Sequence, residues 1–502
     1  MKKSVSPYNE DLPFGWLGTV KRSYPHHALG CVLIGMVRTF RFAKSRAFGA
    51  SGFSSGSKWT PINARAISPE RMSSMQNSFI SVGIDVGADF SYMSFALPNQ
   101  TFIGKPFKIV HANLNSLESA VLAIEKAEET HSMKARIVME STGIYHYPLF
   151  CYFRDKGFNV AVINPIISKN STNINIRKTD NDKFSSKKLA LIGLKPDLKT
   201  SVVPPETVLD LRNLVREYYN LMDCRCAYVN KLLGVLKVSF PQYTGVFSKV
   251  TVQTSLALLD KFPSPADFLS AKKNVIINII RKTARFGMVY AETKYQAIIE
   301  AAESAGNFGY CVPSNSTQIR LCVSFIKKYD EEIAGVLALM HEFVEAHCGE
   351  DFVRQIRLIE TIPGAGFLSA VTVICEIGDF SVFKSPKQLV AYFGLDPAVK
   401  QSGNFTGTRV KLSKRGSSIA RRAIFAISLV SIGVNRKGVP NNPVIRDYYL
   451  QKCKSKLKMI ALGSVMHKVC NIIFAVLRDN KEFEIITPEE HSNHYQNSLL
   501  SA

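Results

Sequence analysis

Two short apolar runs that each end on an acid constrain this chain more than any other feature. SFISVGIDVG carries Asp85 between glycines, and ARIVME ends at Glu140. Runs of this length, rich in branched residues and bounded by turn formers, read as buried strands. Carboxylates at the ends of separate strands, gathered at one sheet edge, are what a divalent-metal site requires. A third patch, RKTDNDKFSSKKLALIGL, places Asp180 and Asp182 at the entrance of a basic helix. Any one of these acids alone is more often a solvated turn residue. Their combination points to chemistry.

The surroundings support a sheet. FSYMSFAL reads as a strand joined to the first by a tight turn, and KPFKIV adds a third. LNSLESAVLAIEKAEETH is amphipathic, with Leu114, Leu117, Val121, Ile124 and Ala127 at three- and four-residue steps. YPLFCYFRDKG reads as a helix and FNVAVINP as a strand, so residues 75–200 form an expected mixed α/β domain. Residues 1–74 mix Ser, Gly, Pro and Arg without periodicity and are expected to be disordered. They also read as over-translated sequence ahead of a true start at Met72 or Met75.

Residues 205–350 look helical, with two long amphipathic segments that suggest a helical hairpin or coiled coil, or else a single-chain bundle. A further mainly α unit is expected over 355–480, with a flexible tail at 481–502. Within it, Ile362-Pro363-Gly364-Ala365-Gly366 lies between two helical runs. This resembles a helix-hairpin-helix turn, in which backbone N–H groups near Gly364 and Gly366 meet a phosphate; a plain αα turn is the alternative. A helix over 385–393 then leads to a Gly-rich loop holding Ser402, followed by Arg409, Lys411, Lys414, Arg415, Arg421 and Arg422. A hydroxyl among cations is where a phosphodiester could be held and attacked.

The balance of 63 Lys and Arg against 40 Asp and Glu gives +23 and points to a polyanionic partner, most simply nucleic acid. Ten scattered cysteines, the closest being Cys224 and Cys226, form neither a zinc pattern nor a disulfide framework and suggest a cytoplasmic protein. No membrane span is expected: ALGCVLIGMV, at 28–37, is too short for one.

GIDVG, MESTGIYHYPL, the NP stretch with its KTD and NDK continuation, and the run from IPGAGF through QSG to KLSKRGSSIARRAIF occur in one order. Together they resemble the DEDD transposases of the insertion-sequence 110 family, which are related to Piv-type DNA invertases, from about Ser78 to Asn480. That resemblance implies a RuvC-like, RNase H-like N-terminal domain with Asp85, Glu140 and Asp182 around Mg²⁺. It implies Ser402 as a nucleophile that becomes linked to a DNA phosphate, with Lys178 among the residues that contact nucleic acid. Double-stranded donor and target DNA, a structured guide RNA, a bacterial cytoplasmic setting and a dimer or tetramer sharing composite sites are likewise implied.

The fourth acid departs from the family pattern. Aligning DKFSS makes Asp182 the third acid and puts Ser185 at the fourth position, with Asp180 as a substitute ligand if the helix begins late. A serine supplies no charge, so impaired metal binding is expected. Two other readings remain: a Holliday-junction-type metal nuclease that does not use Ser402, and a non-catalytic nucleic-acid-binding relative.

Overall fold

Side-chain alternation sets the sheet. In β1 (Phe79–Val86), Ile80, Val82, Ile84 and Val86 are buried toward one face, leaving Ser81, Gly83 and Asp85 to the other. The computed structural model describes residues 79–502 except 142–143, 166–167, 169–180, 197, 199, 201–203, 399–400, 403–404, 407–410, 488, 491 and 493–502. Asp180, Lys178, Arg409, the extension over 1–74 and both candidate starts, Met72 and Met75, therefore lie outside the described residues.

β1 pairs antiparallel with β2 (Phe90–Ala96), which pairs antiparallel with β3 (Phe102–Val110). After helix α1 (Leu114–His131), β4 (Lys134–Glu140) returns parallel to β1. Helix α2 (His146–Asp155) then leads to β5 (Asn159–Ile163), parallel to β4, giving the order β3-β2-β1-β4-β5. α1 spans the predicted amphipathic run, begun by the Asn113 side chain accepting from the Ser116 N–H. α1 and α2 cover one face through Val121, Ile124, Leu149 and Phe153. The other face carries α3 (Asp182–Gly193).

α3 lies unusually close to the sheet. A Cβ added at Gly83 would stand 2.1 Å from the Ala190 nitrogen and 2.3 Å from the Ser186 carbonyl oxygen. One at Gly193 would stand 2.1 Å from Ser81 Oγ and 2.7 Å from a Val138 methyl. Beneath the helix, Ser94 and Ser186 share a buried hydroxyl–hydroxyl bond of 2.7 Å.

The remaining described residues are predominantly helical. α4 (Glu206–Ser239) runs to α5 (Gln253–Lys261), α6 (Pro265–Ser270), α7 (Lys273–Ala284), α8 (Met288–Asn307) and the long α9 (Pro313–His347). α4 and α9 pair, with Tyr228 stacked on Phe325 at 4.6 Å between ring centres. Their two halves serve different cores. Leu232, Leu236, Ile319 and Val323 join Phe240, Tyr243 and Phe268 in a lobe built with α5–α8. Leu211, Val215, Met340 and Val344 join the C-terminal core.

That C-terminal core comprises α10 (Glu350–Glu360), α11 (Phe367–Ile377), α12 (Pro386–Tyr392), α13 (Ser418–Ser431), α14 (Pro443–Cys453) and α15 (Lys458–Asp479), with β6 (Gln401–Ser402) and β7 (Phe405–Thr406) between α12 and α13. α4 is fastened to the end of α11. Arg216 pairs with the buried Glu376 at 3.1 Å, and Arg212 donates to the Cys375 carbonyl at 2.8 Å. Guanidinium groups at a helix C-terminus also favour its dipole.

α15, with 22 residues and a mean hydropathy of 1.8 over its most apolar 18, is long and apolar enough to cross a membrane by length and composition. Leu462, Val465, Val469, Ile473 and Phe474 pack into the C-terminal core, which accounts for its apolar character. None of the described cysteines is in a disulfide.

The α3 contact predicts a stability test. Gly83→Ala and Gly193→Ala should each cost at least about 1–3 kcal/mol in thermal or denaturant unfolding, as overpacked sites do. Gly335→Ala, on exposed α9 backbone with open space around it, should instead gain about 0.8–1 kcal/mol.

Candidate active site

Register brings the first two acids together. Ile84 of β1 is paired with Met139 of parallel β4, so Asp85 and Glu140 follow on neighbouring strands about 4.8 Å apart. Asp85 shares its face with Gly83, and Glu140 shares its face with Val138, which packs on Leu189 of α3. Both acids therefore belong to the α3 side of the sheet, and both are partly exposed.

α3 runs back along β1. Ser186 and Ala190 overlie Gly83, while Gly193 overlies Ser81. A two-residue step along a strand spans about 6.6 Å, which equals four to five helical residues at about 1.5 Å each. The same pitch carried the other way places the first turn of α3 over Asp85. Asn181 caps that turn, accepting from the Phe184 N–H at 2.9 Å, so the helix begins at Asp182. Asp182 is exposed; Ser185, three residues on and partly buried, lies one turn before Leu189, on the side toward β4 and β5.

Among the described residues, no group of three His, Cys, Asp or Glu side chains gathers closely enough to hold a metal ion. Asp182 thus stands at the acid-bearing end of the sheet without closing such a group. The donor set that remains is the Asp85–Glu140 pair. It fits Mg²⁺, which takes one or two carboxylates and fills its octahedron with water and substrate phosphate.

The turn after Asp85 has a brace that carried no sequence signal. His111 at the end of β3 uses both ring nitrogens: Nδ1–H donates to the Ala88 carbonyl at 3.1 Å, and Nε2 accepts from the Ser91 hydroxyl at 2.8 Å. Its backbone N–H also donates to the Asp89 carbonyl at 3.0 Å.

The serine belongs to a separate hairpin. Ser402 is the last residue of β6, in register with Phe405, and Gln401 is in register with Thr406. Nearer the base, Pro397 bridges Leu412, the Ala398 N–H donates to Lys411 at 2.8 Å, and the Ser413 N–H donates to Asp396 at 2.8 Å. The Ser413 hydroxyl also donates to the Asp396 carboxylate. Below these pairs two left-handed glycines, Gly394 (φ +66°) and Gly416 (φ +76°), let the chain ends touch; a side chain at either would strike backbone of Arg415 or Tyr392.

The cations divide into two groups. Lys411, Lys414 and Arg415 are exposed beside the hairpin base. Arg421 turns inward, its Nη1 donating to the carbonyls of Phe393, Arg415 and Gly416 at 3.0–3.1 Å, and burial lowers its pKa from the usual guanidinium value. Arg422 pairs with Asp223 at 2.8 Å and covers the Tyr219 ring at 4.8 Å. Gly364 also faces inward: an added Cβ would meet the Ile427 carbonyl oxygen at 2.8 Å and Ser431 nitrogen at 2.9 Å. Gly366, which caps α11, is exposed.

Comparison with known proteins gives two family matches on this chain. A DEDD-type family model described as Transposase matches residues 82–241, the stretch holding Asp85, Glu140, Asp182 and Ser185. A second, described as Transposase IS116/IS110/IS902 family, matches residues 356–450, which hold Ser402. The Insertion element IS110 uncharacterized 43.6 kDa protein of Streptomyces coelicolor is 23% identical over 420 residues, covering 81% of this chain and 97% of its own length. The Pilin gene-inverting protein of Moraxella bovis is 30% identical over 140 residues, or 28% of this chain and 41% of that protein. The Transposase for insertion sequence element IS1111A of Coxiella burnetii is 34% identical over 96 residues, 19% of this chain and 22% of that protein.

The hairpin clamp can be tested by removing its cation. Arg421→Met keeps the side-chain length but abandons three carbonyl oxygens. A loss of about 1–3 kcal/mol in unfolding free energy is expected. Limited proteolysis between 396 and 416 should become faster while cleavage elsewhere is unchanged.

Proposed function

The chain belongs to the IS110 family of transposases, and from that membership we propose that it cuts and rejoins DNA strands with Ser402 as nucleophile and an Asp85–Glu140 metal site. The observation that carries the acidic half is the parallel register that sets Asp85 and Glu140 side by side under the start of α3. The sheet order, three antiparallel strands followed by two parallel ones, supports the RNase H-like, RuvC-like reading. The inward Gly364 favours a packing role for the 362–366 turn, with exposed Gly366 as its phosphate-facing position.

Bound Mg²⁺ would supply charge neutralisation at a phosphodiester. Asp85 and Glu140 would hold it, with Asp182 and Asp180 as further carboxylates at the helix entrance. The serine oxygen forms a bond to phosphorus as one sugar–phosphate P–O bond breaks, and the sugar oxygen leaves with a proton. Attack on that phosphoserine by a hydroxyl of another strand restores the serine, so no outside energy source is needed. Lys411, Lys414 and Arg415, exposed at the hairpin base, and Arg409 and Lys178 would position the backbone.

Among the described residues β6 and β7 pair with each other and not with the five-stranded sheet that carries Asp85 and Glu140. This supports a composite site in which the sheet domain of one protomer meets the serine hairpin of another, in a dimer or tetramer. The family resemblance and the +23 charge support a structured guide RNA alongside donor and target DNA.

Asp85→Asn and Glu140→Gln should each lower strand cleavage of a supercoiled donor plasmid by about a hundredfold or more, the scale of several kcal/mol of lost charge stabilisation. Chelation should do the same. Ser402→Ala should abolish the covalent protein–DNA adduct that survives detergent; full cleavage in that variant would instead identify a metal nuclease.

Ser185 in the fourth position leaves the site one carboxylate short. Ser185→Asp is expected to lower the Mg²⁺ concentration needed for half-maximal recombination. If both proteins work equally well across the titration, the missing acid has no cost.

A further inference from the structure

Residues 242–355 fall between the two family matches, and they include a lobe with its own core. From 268 to 291 its sequence contains no acid but has Lys272, Lys273, Arg281, Lys282 and Arg285. Lys273 is neutralised in part by Glu292 at 3.9 Å. Among the described residues, no carboxylate lies within ion-pairing distance of Arg281, Lys282 or Arg285.

These residues sit on one amphipathic helix. Ile276, Ile277 and Ile280 of α7 are buried in the lobe core. Asn274, Asn278, Arg281, Lys282 and Arg285 are all exposed, at spacings of four, three, one and three residues, so they form a single outer stripe. Arg285 closes α7 in the left-handed conformation (φ +56°), where glycine is favoured. Beyond it, Phe286, Met288 and Val289 are 61%, 49% and 79% exposed. Large apolar side chains in water, next to unpaired cations, mark a surface built for contact.

We infer that α7 is a groove-binding helix for duplex DNA, separate from the proposed cleavage site. A 12-residue helix is about 18 Å long, enough to lie across a B-form major groove about 12 Å wide. Arginine forks match guanine edges and asparagine amides match adenine, whereas lysine serves phosphate. The Phe286–Val289 tip, at the end of the helix, suits wedging against base steps or sugar faces. The deep, narrow major groove of A-form RNA would not admit such a helix. The assignment needs no cleavage activity, so it stands or falls apart from the nucleophile proposal.

The test uses the full chain and a fluorescent 30-base-pair mixed-sequence DNA duplex, titrated from about 50 to 300 mM salt. Arg281→Ala/Lys282→Ala/Arg285→Ala should weaken binding at least tenfold and lower the slope of log affinity against log salt by about 2 to 3. Thermal unfolding should be unchanged. Arg285→Gly provides an internal control, since it suits the left-handed backbone: a higher melting temperature with weaker DNA binding is expected. Unaltered affinity and salt slope in the triple variant would overturn the inference. An equal or larger loss on the same-sequence RNA duplex would overturn the DNA assignment.

Discussion

The closeness of α3 to the sheet is the constraint on which the acidic site depends. Gly83 leaves room for the backbone between Ser186 and Ala190, and Gly193 leaves room for Ser81 and Val138. With the helix pinned at both points, its rotation and its slide along β1 are both set. Only then does its capped start reach the strand ends carrying Asp85 and Glu140. The buried Ser94–Ser186 bond satisfies hydroxyls that this tight seat would otherwise strand away from water. His111 does the corresponding job on the loop side, holding the turn that follows Asp85. The Asp85–Glu140 pair is thus supported from two directions by residues outside it.

The C-terminal half solves a different problem. A serine at the end of a hairpin has little core of its own, so rigidity must come from the base. The Asp396–Ser413 pairing and the Gly394 and Gly416 contacts close that base, and Arg421 ties three carbonyls together beneath it. A partly buried guanidinium is costly unless its N–H groups are matched, and here the matching groups are loop carbonyls. The Arg216–Glu376 and Arg212–Cys375 contacts then secure the same unit to α4, the helix that continues into the lobe.

Much of the acidic site was legible in the sequence because strands advertise themselves by alternation. The acids that end SVGID and ARIVME needed only a parallel register to become neighbours, and the α1 stripe is a plain 3.6-residue pattern. What was not legible is long-range. Gly83 meets the backbone of Ser186 and Ala190, and Gly193 meets Ser81 and Val138, so each glycine's partner is distant in sequence and nothing local reveals it. Arg415 and Arg421 read alike in a basic run, yet one faces solvent and the other faces carbonyls. Nothing near Ser91 or His111 signals their bond. The helices α5–α8 showed only as helical content, because nothing local tells which of their apolar faces share one core. α15 escaped notice as a long apolar helix because interspersed Lys, His and Asn residues break its run, while its buried side chains still fill the core.

The separation between sheet and hairpin bears on how the proposed chemistry is controlled. A metal-bearing carboxylate pair and an accessible nucleophile held permanently together would cleave any duplex that diffused in. Here the carboxylates are fixed to the sheet by α3, and the serine hairpin rests on a different core. In the proposed composite site, bringing them together would be an assembly step, and nucleic acid would be its natural agent for a chain of charge +23. A groove-binding helix on the lobe between them would add DNA contact without adding reactivity. In the proposed site the Ser185 position would act in the same direction: with one carboxylate fewer, metal retention would depend more on substrate phosphate oxygens to complete the coordination shell. On this reading the site gains its full donor set only when DNA is in place.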